Sequence, residues 1–263
     1  MDSLDDFEVY QFSHAGYTYP VYRKGGGPGV VVIHEVPGVT PEVARFARKV
    51  VDAGFTVFMP SLFGTPGKDF SLAYASQQMS MACVRREFAV LAANKASPVT
   101  DYLRGLCKAV HEELGGSVGA LGMCLTGNFA LTLAVDPWVA APVLSQPSLP
   151  VGPSPKLRAA LHVSPQDLEV VKRRIADEGL KVLGLRFTGD PLCTGARFRT
   201  LRDELGDGFE GIEINSNLGN GKRIPVTAHS VVTLDLVDRA GHPTRQALDR
   251  VLGFFRERLH PAA

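Results

Sequence analysis

The run Val30, Val31, Val32 and Ile33 constrains this chain more than any other segment, because consecutive β-branched residues make a strand with no polar face. Such a strand must be covered on both sides, which places it inside a parallel sheet with helices above and below. The residues after it agree with that placement. Thr40 can cap a helix with Pro41 in its first position, and Val43, Phe46, Ala47, Val50 and Val51 recur at helical spacing until Gly54 stops them. Thr56 to Met59 is then a second strand, so the segment reads as strand, helix and parallel strand joined by a right-handed crossover.

Ahead of this unit, Val9 to Phe12 and Tyr17 to Tyr22 flank His14, Ala15 and Gly16 and read as a β-hairpin. Behind it the alternation repeats. Helices are predicted over Asp101 to Leu114, Asn128 to Val135, Ser164 to Gly179 and Pro243 to Leu259, and strands over Val118 to Gly122, Pro142 to Ser145, Val182 to Thr188 and Gly211 to Ile214. The Pro-rich stretch Gln146 to Pro155 is expected to be a loop. Gly64 to Glu87 reads as a loop and then a helix carrying Met79 and Met81, with Phe88 beyond, laid over the sheet edge as a small lid. The expected architecture is α/β: one domain over residues 1–263, a mostly parallel central sheet with helices on both faces, an N-terminal hairpin, and a small lid or none.

Composition excludes several kinds of partner. The net charge is +1, from 28 basic and 27 acidic residues, so no bulk field draws in nucleic acid or an anionic membrane. No apolar run is long enough to span a bilayer, and the acidic start, with Asp2, Asp5 and Asp6, lacks the pattern of an export signal. The expectation is a cytoplasmic monomer or homodimer acting on a small molecule. Four cysteines without a C-x-x-C pair do not form a zinc site or a disulfide framework, and Cys83, Cys107 and Cys193 read as small buried hydrophobes. The seven histidines are scattered, and neither H-E-x-x-H nor a phosphate-cradling loop occurs, so no metal or organic cofactor is expected.

Cys124 is different from the other cysteines. It lies in Gly122-Met123-Cys124-Leu125-Thr126-Gly127, where a strand ends and a helix begins. A nucleophile presented at such a place needs a sharp strained turn with small neighbours, and the start of the following helix favours an anionic sulfur. Later elements supply partners in the order that hydrolases of this architecture require, an acid and then a histidine. Asp190 sits in the tight Gly189-Asp190-Pro191 turn directly after a strand, although an aspartate there also serves an ordinary turn well. His229 lies in the loop between the last strand and the last helix. Its rival His242, in Gly241-His242-Pro243, reads as the cap of that helix. Glu35 emerges from the first buried strand at the same carboxyl edge as Cys124, where it could hold the thiol proton, repel a thiolate until substrate arrives, or simply bond to nearby amides. The backbone N–H groups of Val36 and Leu125 are the natural oxyanion hole for this turn.

On these residues the chain resembles the dienelactone hydrolases: His34-Glu35 with a Gly38 loop, the Gly122-Met123-Cys124-Leu125 elbow, Asp190, and His229-Ser230, in this order. The resemblance implies an α/β-hydrolase fold and a triad of Cys124, His229 and Asp190, with Glu35 helping to activate the thiol, for cleavage of an ester or lactone without cofactor. Two departures bear on the substrate. Thr126 stands where that family usually has glycine, making the elbow more crowded or its mouth more polar, and Thr233 stands where the family enzyme has an arginine that grips a substrate carboxylate. A second arginine of that family falls on Arg85 or Arg86. Two other readings share parts of the pattern: a cysteine-elbow amidase or amidotransferase, which usually sets histidine close to or immediately after the cysteine where this chain has Leu125, and a hydrolase fold that only binds a ligand.

Overall fold

The computed structural model describes residues 4–84, 97–150, 152 and 154–260. Its strands are β1 (Glu8–His14), β2 (Tyr17–Gly25), β3 (Gly29–Ile33), β4 (Thr56–Pro60), β5 (Val118–Met123), β6 (Val139–Ser145), β7 (Val182–Phe187) and β8 (Phe209–Ile214). They form one sheet in the order β1-β2-β4-β3-β5-β6-β7-β8. β1 pairs antiparallel with β2, and β2 antiparallel with β4. Every pairing from β4 onward is parallel. The predicted hairpin is therefore present, turning at Ala15 and Gly16, which both take positive φ as a tight primed turn requires.

The β-branched run does what its composition demands. All of β3 is buried, and its side chains alternate: Val30 and Val32 enter one core, Val31 and Ile33 the other. The first face is covered by α1 (Pro41–Asp52) and α8 (Pro243–Leu259), whose Val43, Phe46, Val50, Val251 and Phe255 pack there. The opposite face carries α3 (Val99–Leu114), α4 (Phe129–Leu133), α6 (Pro165–Glu178) and α7 (Gly195–Leu205), with α2 (Leu72–Val84) and α5 (Pro155–Ala159) completing the helices. Thr40 caps α1, its hydroxyl accepting the Val43 N–H, and Ser164 caps α6 in the same way. Among the described residues no helix is long and apolar enough to cross a membrane.

Two helices lie where the sequence predicts none. α5 begins at the end of the Pro-rich stretch read as loop, because Pro155 occupies its first turn and Ser154 accepts the Leu157 N–H as N-cap. α7 buries only Phe198, Leu201 and Leu205 beside Arg197, a narrow stripe diluted by charged residues. α4 is shorter than predicted, and β6 starts earlier, at Val139. The helix predicted after Gly64 is α2, but Arg85, Arg86 and Phe88 lie outside the described residues.

The carboxyl ends of β3, β5, β6, β7 and β8 open on one edge of the sheet, where Glu35, Cys124, Gln146, Asp190 and the long loop holding His229 follow their strands. Arg197 binds part of this edge together. The residue is 1% exposed, and its guanidinium donates to the carbonyls of Pro147 at 2.8 Å, Pro150 at 2.9 Å, Leu157 at 3.0 Å and Ala160 at 3.0 Å. The loop after β6 is thereby tied to α7, just downstream of the Asp190 turn.

Candidate active site

The turn after β5 is strained where a nucleophile elbow should be. Cys124 has φ +53° and begins a short 3-10 turn, Cys124–Thr126. A non-glycine residue in that region costs on the order of 1–3 kcal/mol, so the surrounding structure must hold it there. The two glycines do so by absence of bulk. A Cβ on Gly122 would lie 2.2 Å from the carbonyl oxygen of Thr126, and one on Gly127 2.5 Å from Cα of Pro147. The carbonyl of Cys124 accepts the N–H groups of Gly127 at 3.0 Å and Ser148 at 2.9 Å, which locks the turn to the loop after β6.

Thr126, which by sequence crowds the elbow or makes its mouth polar, is fully buried instead and points inward. Its Oγ1 accepts the Met123 N–H at 3.0 Å and lies within donating distance of the carbonyls of Ile33 at 3.0 Å, His34 at 3.1 Å and Met123 at 3.0 Å. Having one hydrogen, the hydroxyl donates to one of these at a time, and in any choice it staples the elbow internally. A glycine could not make that staple.

Asp190 and His229 come together from different strand ends. The imidazole Nδ1 is 2.7 Å from Asp190 Oδ2, and the other carboxylate oxygen accepts the N–H groups of Leu192 at 2.8 Å and Cys193 at 3.1 Å. The carboxylate is thus fixed by the turn and can only accept from the ring. The turn role considered for Asp190 and its pairing with His229 coexist. Nε2 of His229 is buried, on the side of the ring that meets Cys124. Burial alone would lower the pKa of this imidazole, but Cys124 and Asp190 together outweigh it and hold the pKa well above the ordinary value. The ring therefore lies between two groups able to carry negative charge, bonded to one and facing the other.

His242 is elsewhere in function. It caps α8, its Nδ1 accepting the Thr244 N–H at 3.3 Å and meeting the Thr244 hydroxyl at 2.7 Å. Asp235, which has no signal in the sequence, holds the histidine loop: its Oδ2 accepts the N–H groups of His229 at 2.8 Å and Ser230 at 2.9 Å.

Glu35 is buried and faces this loop. Ser230 Oγ donates to its Oε2 at 2.7 Å, Gln146 Nε2 donates to the same oxygen at 3.1 Å, and the Thr233 hydroxyl donates to Oε1. At Thr233, where the resemblance would place a substrate-gripping arginine, the hydroxyl is turned inward onto Glu35. Burial raises the Glu35 pKa, against which the bonds from Thr233 and Ser230 and the nearby His229 work, while Asp235 adds to the rise. The Val36 N–H has no acceptor in the backbone network of the described residues, and the Leu125 N–H lies in the first turn of its helix, where no intrahelical acceptor exists. Among the described residues no three His, Cys, Asp or Glu side chains gather as a metal site. Cys107 and Cys193 are buried, and burial pushes both thiols up. A cleft of about 280 Å³, lined by Ser148, Pro150, Pro191 and Leu192 among others, borders the Asp190 turn. A wider one of about 540 Å³, near α5, α6 and α7, touches neither Cys124 nor Asp190, His229 or Glu35.

His34, which starts this edge, has a structural role with a pH signature. Leu62 N–H donates to its Nε2 at 3.0 Å, so the proton sits on Nδ1 and is donated to Glu35 O at 2.9 Å. Burial lowers its pKa from 6.5 to about 4. A histidine that stays neutral when folded contributes stability above its unfolded pKa, and that contribution disappears as pH falls from about 6.5 toward about 4. The loss should reach about 3 kcal/mol. Urea unfolding of wild type and His34→Gln at pH 7 and pH 4.5 checks this, since only the wild type carries the titration. Equal pH slopes in the two proteins would refute it.

A strained cysteine between a buried strand and a helix, with an acid and a histidine presented from later strand ends of this sheet, defines the α/β-hydrolase fold. Within that class the sequence model of the Dienelactone hydrolase family matches residues 16–165, more than half of the chain. The protein belongs to that family. A relative in Saccharomyces cerevisiae, named "Putative carboxymethylenebutenolidase", is 24% identical over 241 residues, covering 80% of this chain and 82% of its own. Among solved structures, dienelactone hydrolase from Anabaena variabilis superposes with a TM-score of 0.57 at 12% identity, covering 97% of this chain and 99% of that one. The dienelactone hydrolase-like promiscuous phosphotriesterase P91 from metagenomic libraries does so with 0.58 at 17%, covering 96% and 98%. XC6422 from Xanthomonas campestris, an α/β serine hydrolase without a lid, gives 0.57 at 11%, covering 98% and 97%. At these identities the structural likeness speaks to fold.

Proposed function

We propose that this hydrolase cleaves a carboxylic ester or lactone by nucleophilic attack of Cys124. The observation that carries the reading is the state of His229: Nδ1 bound to Asp190, Nε2 buried on the side of Cys124, and a pKa raised by Cys124 and Asp190 together. An imidazole in that position takes the thiol proton and returns it at the right moment, while Asp190 holds the tautomer.

The sulfur of Cys124 attacks the carbonyl carbon, and the C=O π pair moves to oxygen, which is received by the N–H groups of Leu125 and Val36. Collapse of the tetrahedral species expels the alkoxide, which takes the proton from His229 Nε2 and leaves as an alcohol, or as a tethered hydroxyl if the substrate is a lactone. A thioester on Cys124 remains. Water then gives a proton to His229 and its oxygen to the acyl carbon; the acid leaves, and the sulfur is restored. Glu35, bonded to the loop that carries His229, acts on the charge of the imidazole and so on activation of the thiol.

The experiment is acyl-enzyme trapping. Mixing the protein with a p-nitrophenyl ester should produce a transient mass increase on the Cys124 peptide, equal to the acyl group and decaying as product forms. Sustained hydrolysis with the acyl group on another residue would overturn the reading. Running the same assay across acyl chain lengths and lactone ring sizes defines the substrate.

A further inference from the structure

Beside the direct bonds from Ser230 and Thr233, a second link between Glu35 and the histidine loop is made by a residue that the proposed chemistry does not use. Gln146 follows β6, is fully buried, and has φ +35°, a region where any side chain other than glycine is strained. Its backbone N–H donates to Leu185 O of β7 at 2.7 Å, so its main chain is pinned to the sheet. The side-chain oxygen accepts the Val231 N–H at 3.3 Å and the Ser145 hydroxyl. A peptide N–H can only donate, so the oxygen must face Val231 and the NH2 must face Glu35. This orientation matters because the other two donors to Glu35, Ser230 and Thr233, are hydroxyls. A hydroxyl can rotate and accept from a neutral carboxylic acid; an amide NH2 cannot. Gln146 alone among the three favours the charged form without an alternative.

We propose that Gln146 is a positioning residue, keeping Glu35 a carboxylate turned toward the histidine loop and coupling it, through Val231, to the placement of His229. The ionisable groups facing Glu35 are His229, which favours its charge, and Asp235, which opposes it. His34, next in the chain, is neutral near pH 7. The kinetic half of this inference rests on the reading of Cys124 and His229 as the reacting pair; the alkylation half does not depend on hydrolysis.

The test measures two pH profiles, alkylation of Cys124 by iodoacetamide mapped by peptide mass spectrometry, and kcat/KM for a p-nitrophenyl ester. Gln146→Met keeps the length and removes donor and acceptor. It should move the Glu35-dependent limb of both profiles upward by about one pH unit, a tenfold change in proton affinity. In a Glu35→Gln background the same substitution should move neither. Gln146→Glu gives a second arm: with one proton shared, it can donate to Glu35 and accept from Val231, so its rates should match wild type at acid pH and fall as that proton is lost. Unshifted profiles in Gln146→Met alongside a lowered Tm would make the residue merely structural and overturn the proposal. An equal shift in the Glu35→Gln background would also overturn it. If Gln146→Met does not fold, a Gln146→Glu profile parallel to wild type overturns it instead. Absence of ester hydrolysis in wild type would sink the hydrolase reading, and the alkylation profiles would still decide the role of Gln146.

Discussion

Cys124→Ala should abolish ester turnover, lowering kcat by on the order of 10³-fold or more, as loss of the attacking atom does in other nucleophile-dependent hydrolases. The fold should survive. Alanine is smaller than cysteine and keeps the Cβ that packs in the core cluster beneath the elbow, and the elbow is held by bonds from Gly127, Ser148 and Thr126 that do not involve the sulfur. Because alanine meets the same left-handed backbone at φ +53°, the strain is unchanged and Tm should stay within roughly 4 °C of wild type, the equivalent of about 1 kcal/mol. Cys124→Ser should retain only traces of activity, since a hydroxyl is much harder to ionise than a thiol. Stopped-flow assay of ester hydrolysis with calorimetry on the same preparations measures both quantities. An alanine variant hydrolysing at near wild-type rate would show that the nucleophile is another residue.

His229→Ala should cost several orders of magnitude in kcat, because proton transfer to and from the sulfur would have no acceptor, and the loss should resemble that of Cys124→Ala more than add to it. His242→Ala should act on stability instead. Its imidazole caps α8, and losing a cap costs about 1–2 kcal/mol, which in a domain of this size lowers Tm by roughly 2–8 °C while leaving kcat near wild type. The pair of variants separates the two histidines by readout. Turnover lost in His242→Ala and kept in His229→Ala would assign the base to the wrong loop.

The buried β-branched run, the capped helices and the Gly-flanked cysteine are all legible in the sequence because their signals are local. A strand without a polar face, a Thr-Pro helix start and a glycine at each side of a turn are properties of neighbouring residues, and they place Cys124 and Asp190 just past strand ends and His229 in the loop between the last strand and the last helix. The amphipathic stripe of α7 is too thin to read beside its arginines, and α5 is masked by prolines that begin it. What only the tertiary structure decided is what those ends face. Glu35 meets Ser230 and Thr233 across 195 and 198 residues of chain, and Gln146 across 111. No periodicity encodes such contacts, since they depend on strand order and on loops converging over one edge of the sheet. For that reason Thr233, which by sequence replaces a substrate-binding arginine, is a donor to a buried carboxylate, and Thr126 is a staple inside the elbow. Hydroxyls are satisfied by whatever polar group burial places beside them, and only the packed chain determines which group that is.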